Sequence, residues 1–424
     1  MFGKDHDFTT APEISQMFSE LLGVWVVHTA TTLGFDKFHL VEIGPGRGTL
    51  MEDVVRTVSQ FSDVAKRMET IHLVERSESL RALQKEKVQW PSLEWHDTFS
   101  DVPGDVPCIV LAQELFDALP VHQFELTEHG WCERMVDILE EEVEEAEVVV
   151  EGKEGNEDER KEEQEEEEKK IETETAIEKS ADDEDTDDEQ LRFVLSPAPT
   201  NASRVYVRMF DPIPILPDGL ETPDSSSNSS DSPNSSDSPN AVSIVTEEST
   251  STSTVDPADD AIGSRLEVSP AGCALAQDIA LRISTHGGAA LIVDYGKDRA
   301  SGDSLRGIKN HQFVSPLIDP GRVDLSVDVD FASLKAAARA LKIDGLEVYG
   351  TIGQGDFLKN MGIETRLHAL LTKEEITEEE AETLYLAYHR LTDPDEMGTI
   401  YRTMSMVSMP SDDTNYVPAP PAGF

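Results

Sequence analysis

The sequence predicts an α/β fold, a doubly wound parallel sheet with helices on both faces, and three observations lead to it. Short apolar segments alternate with helix-like segments along the first part of the chain, which is typical of βαβ units. The segments at 108–113 and 289–296 are apolar nearly throughout, as expected of strands buried on both faces. Several segments end in a carboxylate or amide, and ligands of such sheets bind at the carboxyl ends of the strands.

An N-terminal helix is the first predicted element. Thr10 and Glu13 match a capping box, in which Thr10 is the N-cap and Glu13 reaches back from the third helical position. The apolar residues that follow repeat at helical spacing, which predicts one face packed in the core: Ile14, Met17, Phe18, Leu21, Leu22 and Trp25. The polar residues around the helix start either line the mouth of a cofactor or substrate site or only cap the helix: Asp7, Thr9, Thr10 and Glu13.

The next element is a strand, 38–43, that runs into a glycine-rich turn and then a helix from Thr49 to about Val58. Such a turn lets the backbone approach a ligand that faces the helix N-terminus. The dinucleotide fingerprint G-x-G-x-x-G would require a glycine where this chain has Thr49. Glu42 would repel a pyrophosphate, but it suits a cationic group such as the α-amino group of S-adenosylmethionine.

The order E-x-G-x-G-x-G, formed by Glu42, Gly44, Gly46 and Gly48, resembles the first motif of class I S-adenosylmethionine-dependent methyltransferases. This resemblance implies a Rossmann-like sheet that binds S-adenosylmethionine through these residues. Two alternatives stay open: an ordinary tight turn between a strand and a helix, and a nicotinamide-dependent oxidoreductase, which Thr49 and Glu42 disfavour.

Three further strands end in polar residues that would lie at the same edge of the sheet. The strand at 70–74 ends at Glu75, where an acidic residue accepts hydrogen bonds from ribose hydroxyls, unless it is only a solvated strand end. A long helix is expected between this strand and the preceding one. The strand at 93–96 ends at Asp97, which would meet the adenine amino group, and the fourth strand ends at Gln113, a further cofactor contact.

Several longer blocks resemble one family, the mitochondrial complex I assembly factor 7 family, also called MidA-like arginine methyltransferases. These blocks lie at 7–18, 42–48, 114–121, 191–197, 287–296, 310–316 and 354–358. The resemblance covers most of the chain outside roughly 140–190 and 215–262. Family members are class I methyltransferases of the mitochondrial matrix. They symmetrically dimethylate an arginine of the 49-kDa (subunit 2) component of NADH:ubiquinone oxidoreductase early in assembly.

The resemblance therefore implies S-adenosylmethionine as cofactor, that 49-kDa subunit as protein partner, and a location in the mitochondrial matrix. An arginine acceptor is cationic and a poor nucleophile, so the site needs carboxylates that orient it and take its proton. Class I methyltransferases place acceptor-side residues after the fourth strand, and we predict that Glu114 and Asp117 are catalytic. Asp117 could instead cap the next helix. His311 is a further substrate-side candidate, unless it is structural.

A different class of function also stays open, a non-catalytic assembly chaperone that keeps the methyltransferase fold. The intact set of Glu42, the three glycines and Glu75 argues against it, because a chaperone has no need of a complete cofactor site. The oligomeric state does not follow from the sequence.

The composition limits the partners. The net charge of −50 and the pI of about 4.3 argue against nucleic acid and against an anionic membrane surface. No apolar run approaches the roughly 20 residues of a membrane-spanning helix. Residues 140–189 contain 27 acidic and 6 basic side chains, and 222–260 is rich in Ser, Thr, Pro and Asn. Neither tract can bury enough apolar surface to offset its ordering entropy, so both are expected to be disordered insertions.

These tracts divide the chain into six predicted parts. They are an N-terminal helix with the cofactor-binding half of the domain (1–138), an acidic insertion (139–190), the end of an inserted β-meander (191–214), a Ser/Pro-rich insertion (215–262), the C-terminal half of the domain with helical additions (263–410) and a tail (411–424). The meander strands are expected at 122–127, 131–138 and 191–196, capping the cofactor pocket. Helices are expected at 331–340 and 375–390, and a last strand at 400–406 is expected to join the sheet edge.

The cysteines and the N-terminus bear on the compartment. Cys108, Cys132 and Cys273 lack metal-ligand spacing and cannot all pair, which favours a reducing compartment. The first five residues have neither a secretory signal nor the composition of a transit peptide. Family members usually carry more sequence before the Asp-Phe-Thr-Thr block, with a glycine where this chain has His6, so we expect a shortened N-terminus that lacks a targeting segment.

Overall fold

The computed structural model describes residues 10–139, 191–210, 262–310, 312–373, 376–409 and 418–424. Its strands are β1 (Phe38–Ile43), β2 (Met68–Val74), β3 (Leu93–His96), β4 (Cys108–Gln113), β5 (His122–Thr127), β6 (Gly130–Ile138), β7 (Leu191–Leu195), β8 (Arg265–Val268), β9 (Gly288–Lys297), β10 (Arg306–Lys309), β11 (Gln312–Val314), β12 (Asp324–Ser326), β13 (Val329–Asp330), β14 (Leu346–Gly353) and β15 (Tyr401–Ser408).

Its α-helices are α1 (Ala11–Ile14), α2 (Gln16–Thr32), α3 (Thr49–Val58), α4 (Ser62–Arg67), α5 (Glu78–Lys87), α6 (Asn201–Phe210), α7 (Pro270–His286), α8 (Phe331–Arg339), α9 (Gln354–Asn360), α10 (Ile363–Leu371), α11 (Glu378–Thr392) and α12 (Met397–Ile400). None of the helices in the described ranges is long and apolar enough to cross a membrane.

The main sheet has the order β14-β15-β9-β4-β1-β2-β3, with β13 paired to β9. The five strands from β9 to β3 are parallel, whereas β15 is antiparallel to both β9 and β14. The predicted class I methyltransferase sheet is therefore confirmed, including the bounds of β1, β3 and β4. The predicted last strand is confirmed as β15, which joins the sheet beside β9, but its predicted position at the edge is wrong, because β14 covers its other side.

Helices cover both faces of this sheet, as a doubly wound fold requires. Along β1, Leu40 belongs to the buried cluster that includes Trp25 of α2, and Val41 belongs to a second buried cluster that includes Ile279 of α7. This alternation follows from the two-residue period of a strand. The single long helix expected between β1 and β2 is instead two helices, α3 and α4. The Ser59 hydroxyl donates to the carbonyl of Val55 at 2.7 Å where α3 ends, which helps to close the first helix there.

The N-terminal helix also begins differently from the prediction. The Thr10 side chain makes no capping bond, and α1 ends after one turn. Ser15 then caps α2, because its hydroxyl accepts a hydrogen bond from Met17 N at 3.2 Å. The predicted capping box of Thr10 and Glu13 is therefore wrong. The apolar face is confirmed, since the five predicted residues that lie in α2 are at most 5% exposed: Met17, Phe18, Leu21, Leu22 and Trp25.

A second sheet, in the order β7-β6-β5-β8, lies between β4 and α7 in the chain. It contains the three predicted meander strands, and all of its pairings are antiparallel. Almost all of the two predicted insertions, 140–190 and 215–261, lies outside the described residues, as does 410–417. At the C-terminus, Phe424 packs on Phe357 of α9, with ring centroids 5.7 Å apart.

Candidate active site

The glycine-rich turn after β1 has a backbone that favours glycine at each of its three predicted positions. The φ angles of Gly44, Gly46 and Gly48 are +71°, +50° and +78°, in the left-handed region where a side chain is strained. A Cβ on Gly44 would lie 2.8 Å from Leu115 Cδ1, whereas a Cβ on Gly46 would meet nothing within 4 Å. The turn therefore leaves open space at Gly46, where a ligand can approach the backbone.

Gln84 of α5 holds this turn in place, although no sequence motif marked it. Its amide nitrogen donates to the Gly46 carbonyl at 2.7 Å, and its amide oxygen accepts from Trp95 Nε1 at 2.8 Å. The side chain is fully buried, so both bonds lie away from solvent. A glutamine on a short polar helix carries no spacing signal, which is why sequence reasoning missed it.

Glu42, next to the end of β1, has a carboxyl group with an unmet requirement. The residue is 2% exposed, and its Oε2 atom has no hydrogen-bond partner among the described residues. Burial raises the pKa of Glu42 to about 8. A buried acid without a partner is costly, and a cationic ligand group would satisfy it.

Glu75 and Asp97 follow β2 and β3 at the same edge of the sheet, as predicted, but their surroundings differ from that of Glu42. Glu75 is half-buried, and its Oε1 accepts from Ser77 N at 2.8 Å. The Asp97 side chain is 73% exposed and accepts from Arg81 Nη2 at 2.7 Å. Both carboxylates are thus already partnered, and their contacts with a nucleoside stay predictions.

The end of β4 carries Gln113 and Glu114. Glu114 has a φ of 49°, and its Oε1 accepts from Ala11 N at 3.0 Å and from Gln113 Nε2 at 2.9 Å. This carboxyl group, instead of Thr10, therefore holds the first turn of α1 against the site. Its Oε2 atom is buried without a partner in the described structure, and burial raises the pKa of Glu114 to about 8.

Asp294 on β9 shapes the loop that carries Glu114 and Asp117, and sequence reasoning missed it. Its Oδ2 accepts from Leu115 N at 3.1 Å, from Phe116 N at 2.8 Å and from Asp117 N at 3.3 Å. Burial, together with the nearby charges of Asp117 and Glu114, raises the pKa of Asp294, while these backbone donors oppose the rise. The available signal was one acid in an otherwise apolar strand.

Asp117 lies within a single 3-10 turn, Phe116–Ala118, after which the chain continues to β5. The alternative that it caps a following helix is therefore wrong. Its Oδ2 accepts from the Ser326 hydroxyl at 3.1 Å, and its Oδ1 is buried and makes no hydrogen bond in the described part of the chain, although the Tyr295 hydroxyl lies near this carboxyl group. Burial raises the pKa of Asp117, whereas its interactions with Tyr295 and Ser326 lower it.

The substrate-side candidates are only partly described. Thr10 is half-buried at the start of α1, and Glu13 has a buried Oε2 with no partner in the residues described. The charge of Glu13 also acts on Glu114 and raises its pKa. Asp7, Thr9 and His311 lie outside the described residues.

The fold thus gathers several carboxyl groups at the carboxyl edge of the parallel strands. Each of them has a buried oxygen without a partner among the described residues: Glu13, Glu42, Glu114 and Asp117. A cluster of this kind suits cationic ligands, because each positive group lowers the cost of ionising an acid. The open space at Gly46 and the unpartnered Glu42 fit the amino-acid end of S-adenosylmethionine.

Comparison with known proteins shows the family to which the chain belongs. Residues 21–352 match a family model described as "Putative S-adenosyl-L-methionine-dependent methyltransferase". The mouse protein named protein arginine methyltransferase NDUFAF7, mitochondrial, is 32% identical over 96% of this chain and 76% of its own length. The human protein of that name is 30% identical over 96% of this chain and 75% of its own length.

A solved structure shares the fold. It is a COG1565 superfamily member and likely methyl transferase from Burkholderia thailandensis, bound to S-adenosyl-homocysteine. The TM-score is 0.61 at 20% identity, over 96% of this chain and 81% of that one.

Proposed function

Because the chain belongs to this family of S-adenosyl-L-methionine-dependent methyltransferases, we propose that it methylates an arginine side chain of a protein substrate. When bound, S-adenosylmethionine supplies an electrophilic methyl group on a sulfonium. What the protein must add is the position of the acceptor and a group that takes the acceptor's proton.

The observation that supports an arginine acceptor is the pair of acids after β4, Glu114 and Asp117, each of which has one buried carboxyl oxygen. Each has one carboxyl oxygen anchored by the fold and a second oxygen without a partner in the described structure. A guanidinium offers five N–H donors in a rigid fork, so it can bind both free oxygens. Its charge would favour ionisation of the two acids on binding.

Glu114 is the better candidate for the base. Its pKa of about 8 lies near neutral pH, which is where a general base works best. Asp294 keeps its four backbone donors, the fourth being Tyr295 N at 2.9 Å, so it positions the loop and does not contact the substrate.

The same proposal assigns the cofactor side of the site. Glu42 would pair with the α-amino group, and the backbone at Gly46 would face the methionine moiety. Glu75 would bind the ribose hydroxyls, and Asp97 and Gln113 would complete the set. Gly44 and Gly48 serve this site through their backbone conformation.

We further infer the biological substrate from the family resemblance. The relatives are named as mitochondrial arginine methyltransferases, which supports a mitochondrial location and a protein acceptor here. The finer proposal is symmetric dimethylation of an arginine in the 49-kDa subunit of respiratory complex I, in the matrix, during complex I assembly.

The test combines binding with catalysis. The purified chain is titrated calorimetrically with S-adenosylmethionine, and it is then incubated with the isolated 49-kDa subunit and methyl-labelled cofactor. Mass spectrometry of the product locates the modified residue and distinguishes symmetric from asymmetric dimethylarginine. Cofactor binding with label on a residue other than arginine would refute the acceptor, and label on another protein alone would refute the substrate.

A further inference from the structure

A second group of side chains that can bind a ligand lies on the opposite face of strands β1–β3 from Trp95. His39, His72 and His96 come from the three strands, and Glu94 is on β3. In the register of β2 and β3, His72 lies opposite Glu94, and His96 is two residues farther along the same strand. The two-residue period of a strand therefore puts Glu94 and His96 on one face, beside His72.

The distances bring three ligand atoms to one point. His72 Nδ1 lies 2.9 Å from His96 Nε2 and 3.7 Å from Glu94 Oε2. In the part of the chain that the structure describes, this is the group of His, Cys, Asp and Glu side chains whose ligand atoms all lie within 4.8 Å of one another. Two imidazoles and one carboxylate at this separation match the donor set of catalytic or solvent-open zinc sites.

His39 supplies the support that such a site needs. Its Nδ1 lies 3.1 Å from His72 Nε2, the ring nitrogen that faces away from the other two ligands. Metal-binding histidines almost always donate their second ring N–H to a fixed acceptor, which sets the tautomer and orientation. With the His72 proton on Nε2 and directed at His39, the lone pair of Nδ1 points toward His96 and Glu94.

The site is buried on the side of His72 and His39 and open to solvent on the side of Glu94. His72 is 1% exposed and His39 is 7% exposed, whereas the Glu94 side chain is 52% exposed on the edge strand of the sheet. An ion could therefore enter from solvent past Glu94.

We propose that His72 Nδ1, His96 Nε2 and the Glu94 carboxylate bind a divalent transition-metal ion of the zinc class. Imidazole ligands favour zinc and its neighbours over magnesium or calcium, which take oxygen ligands. The fourth position is left to water. The ion would tie β2 to β3 on the face away from α5, and it takes no part in methyl transfer.

Charged side chains of both signs lie near the group. The positive charge of Arg282 acts on both His72 and His96. The negative charge of Asp105 acts on His72, and that of Asp101 acts on His96. Without a metal, the three imidazoles form a chain of two hydrogen bonds, His39–His72–His96. The competing interpretation is thus a purely structural chain of neutral histidines.

The test is a titration of the full, metal-stripped chain with Co²⁺, followed by competition with Zn²⁺. A histidine and carboxylate site gives visible d–d bands without thiolate charge-transfer bands, at one ion per chain. His96→Gln should weaken Zn²⁺ binding more than about 100-fold and Glu94→Gln less severely. His39→Gln should cost about 10- to 100-fold, as losses of supporting hydrogen bonds do.

Matched controls separate the loss of this site from the loss of any histidine or glutamate and from unfolding. His28→Gln and Glu86→Gln remove the same residue types from exposed helix positions and should leave the titration unchanged. Circular dichroism and melting in chelator should show that His96→Gln folds like the wild type. Equal cobalt spectra for the wild type and His96→Gln, or no stoichiometric binding by a folded wild type, would overturn the proposal.

Discussion

The carboxyl groups at the two halves of the sheet edge differ in whether their oxygens have hydrogen-bond partners. After β2 and β3, Glu75 and Asp97 are at least partly exposed and bonded to Ser77 N and Arg81. After β4, Glu114 and Asp117 are half-buried residues, but each has one buried carboxyl oxygen without a partner among the described residues. Glu42, on the strand between them, is 2% exposed and resembles the second pair in having a buried oxygen without a partner in the described residues.

The difference corresponds to the charge of the expected ligand parts. A ribose or an adenine is neutral. A solvated carboxylate that already has a partner can accept hydrogen bonds from it, and the free protein does not have to bury an unpaired acid for this purpose. An ammonium or a guanidinium is cationic, and a buried acid kept neutral in the free protein can gain a strong charge-assisted bond when it ionises. The following experiments test whether the acids that have a buried, unpartnered oxygen are the ones that bind the cationic parts of the ligands.

The largest effect is expected from Gly46→Val. A side chain at Gly46 would enter the open space that we assign to the methionine moiety, so calorimetric binding of S-adenosylmethionine should be lost. Gly34→Val is the matched control, because Gly34 has a φ of +66° and equally open surroundings, but lies between α2 and β1. Both variants should lose about 1–2 kcal/mol of unfolding free energy from backbone strain. Loss of binding in both would show that strain, and not occlusion, is responsible.

The proposed roles of Glu114 and Asp117 toward the arginine acceptor are tested by Glu114→Gln and Asp117→Asn. Each should lower the methyl-transfer rate by about 10²- to 10⁴-fold, the usual contribution of a positioned base, with cofactor binding retained. The exposed substitution Glu379→Gln on α11 provides the control. Methylation at the wild-type rate by either active-site variant would remove that residue from the mechanism.

Glu42→Gln should weaken S-adenosylmethionine binding by about 10- to 100-fold, the size of one charge-assisted hydrogen bond. The same change should stabilise the free protein. The folded-state pKa of Glu42 is about 8 and its ordinary value is 4.5, so the wild type loses stability as pH rises through this window. The melting temperature of the variant should therefore match the wild type near pH 4.5 and exceed it increasingly toward pH 8. A constant difference at all pH values would contradict the raised pKa.

A smaller effect is expected from pH. If Glu114 is the base, kcat/KM for the protein substrate at saturating cofactor should rise about tenfold between pH 7 and pH 9, with a midpoint near the pKa of about 8. The carboxylate form, present above the pKa, is the active one. This ionisation should be absent from the profile of Glu114→Gln, and its persistence there would assign it to another group.

The smallest effect is expected from Asp97→Asn. An exposed carboxylate paired with one arginine contributes little, so cofactor affinity should fall at most about fivefold. A loss comparable to that of Glu42→Gln would break the link between burial and ligand charge.

The contrast between the glycine-rich turn after β1 and the loop after β4 that carries Glu114 and Asp117 also shows where sequence reasoning succeeded. The turn formed by Gly44, Gly46 and Gly48 was predictable, because the backbone freedom of glycine is a local property. The bounds of α3 also followed from the local helix pattern. The starts of α1 and α2 were not predictable, because Glu114, 103 residues away in sequence from Ala11, holds the start of α1, and Ser15 instead of Thr10 caps the next helix. Two helices replaced the one expected after β1, since apolar spacing does not show where a short turn interrupts it.

The sequence by itself determined the parallel sheet, the glycine-rich turn after β1 and the acids that follow the strands. Each of these depends on local rules: strand periodicity, the backbone freedom of glycine, and the position of a residue at a strand end. Only the tertiary structure decided that β15 is an interior strand, that Gln84 and Asp294 support the two loops, and which acids are buried. Burial and partnership depend on residues distant in the chain, and they set the pKa values on which the chemistry rests.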